Sequence, residues 1–168
     1  MMNTRKLTHL AMFVVLQVVV SRFLSIPTPI VKISFTYVPM AIAGYLYGWL
    51  FGGVAAALAD VLGAMLFPQS GAYFPGFTLS AFIIGAMYGL LKDSDCSWSV
   101  IIGIALFNTI VINLLLNTYW LSLILGKSYL AMIPIRVTKS LVMLPIKIFV
   151  LKKVLDYIKP YKSRLTKA

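Results

Sequence analysis

Apolar runs fill nearly the whole chain, and polar residues fall in short breaks between them rather than in long blocks. The first run covers 7–24, with Thr8, His9, Gln17, Ser21 and Arg22 as its polar positions. Ser25-Ile26-Pro27-Thr28-Pro29 ends it, because two prolines remove backbone donors and bias their neighbours away from helix. Runs at 33–50 and 51–67 follow. They meet at Tyr47-Gly48-Trp49-Leu50-Phe51-Gly52-Gly53, a glycine turn with aromatics suited to interface depth. A fourth run, 75–91, opens on Pro75 in a position compatible with a helix start. After the polar turn Lys92-Asp93-Ser94-Asp95, a fifth run covers 98–118. Residues 119–128 read as a loop or short helix. A sixth helix, 129–158, is longer than a bilayer needs and is interrupted by Pro134 and Pro145. A membrane-crossing helix takes about 20 residues, so the pattern predicts an all-α integral membrane protein of six transmembrane helices. No internal repeat or low-complexity tract divides it, and 1–168 reads as one transmembrane domain.

Composition strengthens this reading. Of 168 residues, 61% are hydrophobic and 11% charged, with a mean hydropathy of +0.95. Soluble domains carry about a quarter charged residues. Arg5 and Lys6 precede the first run as in a secretory signal. The run ends at Arg22 without a small-x-small cleavage pattern, and more spans follow, so it reads as a retained helix.

Charge sets the expected orientation. Fifteen Lys and Arg stand against four Asp and no Glu, a net charge of +11. Seven bases lie from Lys147 onward and read as a basic tail, opposed only by Asp156. Six spans put both termini on one side, and the positive-inside rule makes that side the cytoplasm of a multi-pass plasma-membrane protein. The tail therefore reads as topology and contact with anionic lipid headgroups rather than as a nucleic-acid site. A lone Cys96 excludes a disulfide within the chain and a multi-cysteine metal site. With one His, scattered Asp and no P-loop, GxSxG, HExxH or CxxC, no catalytic, metal or cofactor constellation is visible. If transport is active, its energy comes from elsewhere.

Candidate chemistry gathers on the predicted outer side. Phe67-Pro68-Gln69-Ser70-Gly71-Ala72-Tyr73-Phe74-Pro75-Gly76-Phe77-Thr78-Leu79-Ser80 joins aromatics, prolines, glycines and hydroxyls without a charged side chain. It suits a lid over a flat, partly apolar small molecule. Phe74 and Phe77 straddle Pro75-Gly76, which reads as a gate hinge or an ordinary sharp turn. Arg22, Lys32, Lys127, Arg136 and Lys139 break the positive-inside rule. Lys32 and Lys127 read as loop residues reaching water. Arg136 and Lys139, three apart on one helical face, suit an anionic solute, since Arg offers a carboxylate a bidentate fork. Arg22 has the same potential; the alternative is a buried pair with Asp60, the only acidic residue inside a span. Asn113 and Asn117, four apart, read either as interhelical glue or as amides that meet the edge of a polar heterocycle. Tyr119 and Trp120 read as an interfacial belt or a stacking floor. Gly44, Gly48, Gly52 and Gly53 with Ala55, Ala56, Ala57 and Ala59 favour close internal packing over a partner interface.

These residues resemble a known family, the substrate-binding S component of energy-coupling factor (ECF) vitamin transporters, and most closely its folate-specific type. The resemblance runs through Arg5-Lys6-Leu7, Ser21-Arg22-Phe23-Leu24-Ser25-Ile26, Tyr37-Val38-Pro39 and Ala43-Gly44. It continues through Ala59-Asp60-Val61-Leu62-Gly63, Tyr73 to Ser80 and Gly85-Ala86-Met87-Tyr88-Gly89-Leu90. The Phe74-Pro75-Gly76-Phe77-Thr78 block favours folate. The resemblance implies a non-catalytic subunit holding one vitamin in an outward cavity. It also implies docking on a membrane coupling (T) subunit with two cytosolic ATPases. The family's docking motif, Ala-x-x-x-Ala in the first helix, is matched here at Ala11, with Val15 at the second position. Folate fits the independent reading: its flat pterin has a donor-acceptor edge and its glutamate is dianionic. An S component for another soluble vitamin, or a six-span cell-envelope scaffold, are the alternatives.

Overall fold

The computed structural model describes residues 4–27, 32–67, 73–94 and 96–162. Six helical rods form it: α1 (Thr4–Arg22), α2 (Tyr37–Tyr47), α3 (Trp49–Leu66), α4 (Pro75–Gly89), a long compound rod, and α7 (Tyr129–Ile158). The compound rod joins α5 (Trp98–Phe107), a π-helical segment (Asn108–Leu116) and α6 (Asn117–Leu125). A small antiparallel hairpin, β1 (Ser25–Pro27) with β2 (Lys32–Ser34), follows α1 and pairs Ile26 with Ile33. The protein is thus a nearly all-helical bundle. Among the described residues, four segments are long and apolar enough to cross a membrane by length and composition: Thr4–Arg22, Trp49–Leu66, Pro75–Asp93 and Trp98–Leu125.

The structure redraws several predicted boundaries. The second run shrinks from 33–50 to the 11-residue α2, about 16 Å long and too short to cross a bilayer alone. Its residues are mostly buried, so the apolar signal came from packing inside the bundle rather than from lipid contact. The fifth run does not stop at 118; the rod continues to Leu125 and ends at Gly126, whose φ of 62° gives the left-handed stop that glycine adopts freely. Nor do Pro134 and Pro145 interrupt α7, which runs through both. Pro75 and Gly76 form no sharp turn: Pro75 occupies the first helical turn of α4, with Phe74 extended before it. Of the expected lid, residues 68–72 lie outside the described residues.

Glycines hold α2, α3 and α4 together. A Cβ on Gly44 would come within 2.7 Å of the Gly89 backbone, and one on Gly52 within 2.7 Å of Gly44 Cα. At Gly85 a Cβ would stand 2.7 Å from the Ala56 methyl. The small residues therefore serve internal packing. The core around them includes Ala41, Ala43, Tyr45, Ala55, Ala56 and Tyr88. Gly48, at φ 89°, makes the α2–α3 corner, and three cationic side chains surround it. Lys92 packs on Gly48, Lys6 lies 3.4 Å from the Phe51 ring centroid and Lys162 lies 4.3 Å from that of Tyr45. This is the end of the bundle at which α1 begins and α7 finishes.

Candidate functional site

A cavity of about 370 Å³ opens between α2, α3, α4, the π-helical segment, the start of α6 and α7. Six of the sequence-predicted residues line it: Asp60, Phe77, Asn113, Asn117, Arg136 and Lys139. Among the described lining residues, three basic side chains, Arg136, Lys139 and Lys147, stand against one acid, Asp60. Flat and flexible apolar groups, among them Tyr37, Met40, Phe77, Ile84 and Met143, supply the remaining walls. The cavity can accordingly hold an anionic molecule with a planar, partly apolar part.

The π-helical winding places the amides. The Asn117 N–H donates to the carbonyl of Ile112, five residues back, instead of the usual four. Such segments are rare and often mark functional sites. The wider turn stacks residues five apart: Asn113 Nδ2 donates to the Asn108 carbonyl at 2.8 Å and Thr118 Oγ1 to the Asn113 carbonyl at 3.4 Å. Asn117 Nδ2 donates to Asn113 Oδ1 at 3.3 Å, leaving Asn117 Oδ1 buried without a partner. Across the cavity, Arg136 Nη1 donates to Thr118 Oγ1 at 2.7 Å and to the Asn113 carbonyl at 3.4 Å. That fixes one arm of the guanidinium. The fork's other donors remain to meet an anion.

The other expected residues lie outside the cavity lining, in two clusters. Arg22 packs its guanidinium over Gly63, where a Cβ would stand 3.1 Å from its Nε, and lies within electrostatic reach of Asp60. Asp60 Oδ2 also accepts from Thr78 Oγ1 at 2.8 Å, and that hydroxyl is 2.9 Å from the Tyr73 hydroxyl. The second cluster is aromatic. Phe74 sits 5.4 Å from Trp120 and 6.4 Å from Phe77 between ring centroids, and Tyr119 5.2 Å from Trp120. Trp120 Nε1 donates to the buried Ser80 Oγ at 3.3 Å. Gly76 makes the cluster possible, since a Cβ there would come within 2.6 Å of both Phe74 and Trp120. Pro75 opens the helix beside them. Phe77 bridges this cluster to the cavity.

One sequence assignment is overturned. Lys147, counted with the basic tail, lines the cavity instead, donating to Thr109 Oγ1 at 3.5 Å. Its spacing carried the signal. Arg136, Lys139, Ser140, Met143 and Lys147 recur at the three-and-four interval of one helical face, and all line the cavity. Tyr37, Met40 and the hydroxyls of Ser34 and Thr36 were also missed; an isolated tyrosine or methionine in an apolar run gives no sequence-level sign that it faces a cavity.

The sequence model of the family described as ECF transporter, substrate-specific component, matches residues 5–155. The chain belongs to that family. It is 39% identical over 155 residues to a folate transporter FolT of Clostridium novyi, covering 90% of this chain and 88% of that one. It is 36% identical over 157 residues to a folate transporter FolT of Leuconostoc mesenteroides, covering 88% and 82%. A crystal structure of FolT bound with folic acid superposes with a TM-score of 0.85 at 34% identity, over 91% of this chain and 92% of that one.

Proposed function

We propose that this chain binds folate in the cavity and serves as the folate-specific subunit of an ECF importer. The observation that carries the reading is the cavity's pairing of a cationic face on α7 with amides on the π-helical segment and the start of α6. Likeness to a folic-acid-bound FolT supports it. The glutamate carboxylates take Arg136 and Lys139, the Asn113–Asn117 amides meet polar edges of the ligand, and Phe77 covers it. The Phe74–Gly76–Trp120 cluster, with Pro75 and Tyr119, braces the lid above Phe77. Thr78 and Arg22 act through Asp60. A thiamine-type cation fits poorly, because three bases stand against one acid among the described lining residues.

Transport then needs partners. The end at which α1 begins and α7 finishes faces the cytoplasm, as its crowd of lysines around Gly48 suits, in a plasma membrane. The subunit docks on a membrane coupling subunit, which carries two cytosolic ATPases, and itself hydrolyses no ATP. Ala11 lies on an exposed α1 face with Leu7 and Val15, the latter 60% exposed, which offers the coupling subunit an apolar docking stripe. Calorimetric titration of the detergent-purified chain with folic acid, riboflavin and thiamine tests the binding role. One-to-one nanomolar binding of folic acid alone is expected; binding of a different vitamin replaces the ligand, and binding of none by a folded sample removes the proposal.

A further inference from the structure

The end of the cavity nearer the finish of α7 carries chemistry that carboxylate binding leaves unused. Lys147 lies eleven residues beyond Arg136 on α7, about 16 Å farther along the helix. Its Nζ donates to Thr109 Oγ1 at 3.5 Å, the long limit of such a bond, and stands 5.7 Å from the Tyr37 ring centroid. An ammonium carries three donors, so a single long bond leaves donor capacity directed at the space Lys147 lines. The Tyr37 hydroxyl beside it is buried and has no hydrogen-bond partner. A buried donor left unmatched is costly, and the Tyr37 hydroxyl belongs to a residue that borders a hollow rather than a packed core. Met40, Ile84 and Leu144 line the same end and offer apolar faces to a planar ring. Flat walls with donors at one edge suit a heterocycle that presents an acceptor along that edge.

Resting on the folate reading, the geometry points to Lys147, flanked by Tyr37 and Thr109, as the residue that reads the oxo edge of the pterin and rejects ring systems carrying an amino group there. The ammonium donates to the ring carbonyl oxygen. An amino group at that position would turn its own N–H bonds toward Lys147 and leave donors facing donors. A 2,4-diaminopteridine also takes up a proton more readily than the oxo ring, which would set like charges against each other. A site built on a hydrogen bond rejects the analogue lacking its partner far more strongly than a site built on shape.

The test uses the full-length protein in detergent, titrated with folic acid and with aminopterin, which differs from it only by an amino group in place of that oxo group. Wild type is expected to prefer folic acid by about tenfold or more. Lys147→Met should weaken folic acid and bring the two affinities together, whereas Lys147→Arg, which keeps a cationic donor, should preserve the preference. Equal affinities in wild type, or a ratio unmoved by Lys147→Met, overturn the assignment. Wild type binding neither compound removes the folate reading as well. If Lys147→Met loses its monodisperse folded peak, Lys147→Gln and Tyr37→Phe carry the same reading: the ratio falls in both, and an unmoved ratio in both overturns it.

Discussion

Arg136 Nη1 and Thr118 Oγ1, brought together from α7 and α6, share a 2.7 Å hydrogen bond at the wall of the cavity. Thr118 is itself fully buried and donates onward to the Asn113 carbonyl. The guanidinium is therefore held by the helix that also presents the amides. A neutral hydroxyl and a carbonyl fix its direction without cancelling its charge, so the positive field stays available to a ligand.

Arg136→Ala is expected to weaken folic acid binding by about 10- to 100-fold, the worth of roughly 1.5–3 kcal/mol for bonds to a charged group. The same substitution should close most of the gap between folic acid and pteroic acid, which lacks the glutamate. Calorimetry with both ligands reads it; a gap left intact would assign the carboxylates elsewhere. Arg136→Lys should recover only part of the loss, because an ammonium lacks the planar fork.

Arg22 and Asp60 should prove energetically coupled. Arg22→Met and Asp60→Asn are each expected to lower the melting temperature in detergent, and the double variant to lower it by less than the sum. Coupling of about 0.5–3 kcal/mol is the range for residues in contact. Strict additivity would mean that the attraction between them contributes nothing.

Gly76→Ala places a methyl where the rings of Phe74 and Trp120 already stand. Overpacking of this kind costs about 1–3 kcal/mol, and thermal unfolding should register it. Adding Trp120→Leu to Gly76→Ala makes room for the methyl, so the double variant should lose less than the two single losses combined. A Gly76→Ala protein as stable as wild type would show that the aromatic cluster gives way freely.

Cys96 should resist alkylation. It is 0% exposed, and burial pushes its thiol up, so the reactive thiolate is scarcer at neutral pH than for a free cysteine. N-ethylmaleimide is expected to label the denatured chain and spare the folded one. Rapid labelling of folded protein would place the Leu91–Trp98 corner in water.

The helical nature of the bundle was legible in the sequence because each rod is an apolar run ended by Pro, Gly or charge. Rod lengths were less so. Hydropathy cannot separate a residue buried against protein from one facing lipid, which is why α2 reads as a full span although it is half of one. The 98–125 rod ran past its expected end because polar Asn117 and Thr118 resemble a boundary in sequence, while in the structure the first faces the cavity and the second is capped by Arg136. At the cavity, charges out of place against the topology pointed to Arg136 and Lys139. Lys147 escaped because it stands at the start of a lysine-rich stretch, where the topology already explains a positive charge. The π winding has no propensity signature, yet it decides which amides meet.

The glycine contacts among α2, α3 and α4 also divide the labour of change. Backbones that approach until no methyl fits can accept almost no new side chain, so this half of the bundle is a fixed mould. The three bases and two amides among the described lining residues lie on the other half, on the π-helical segment, the first residue of α6 and α7, whose side chains can be exchanged without parting two backbones. A redesign of ligand preference therefore has its freedom on one wall only, and a library confined to the lining positions of those elements should keep the fold while altering what the cavity accepts.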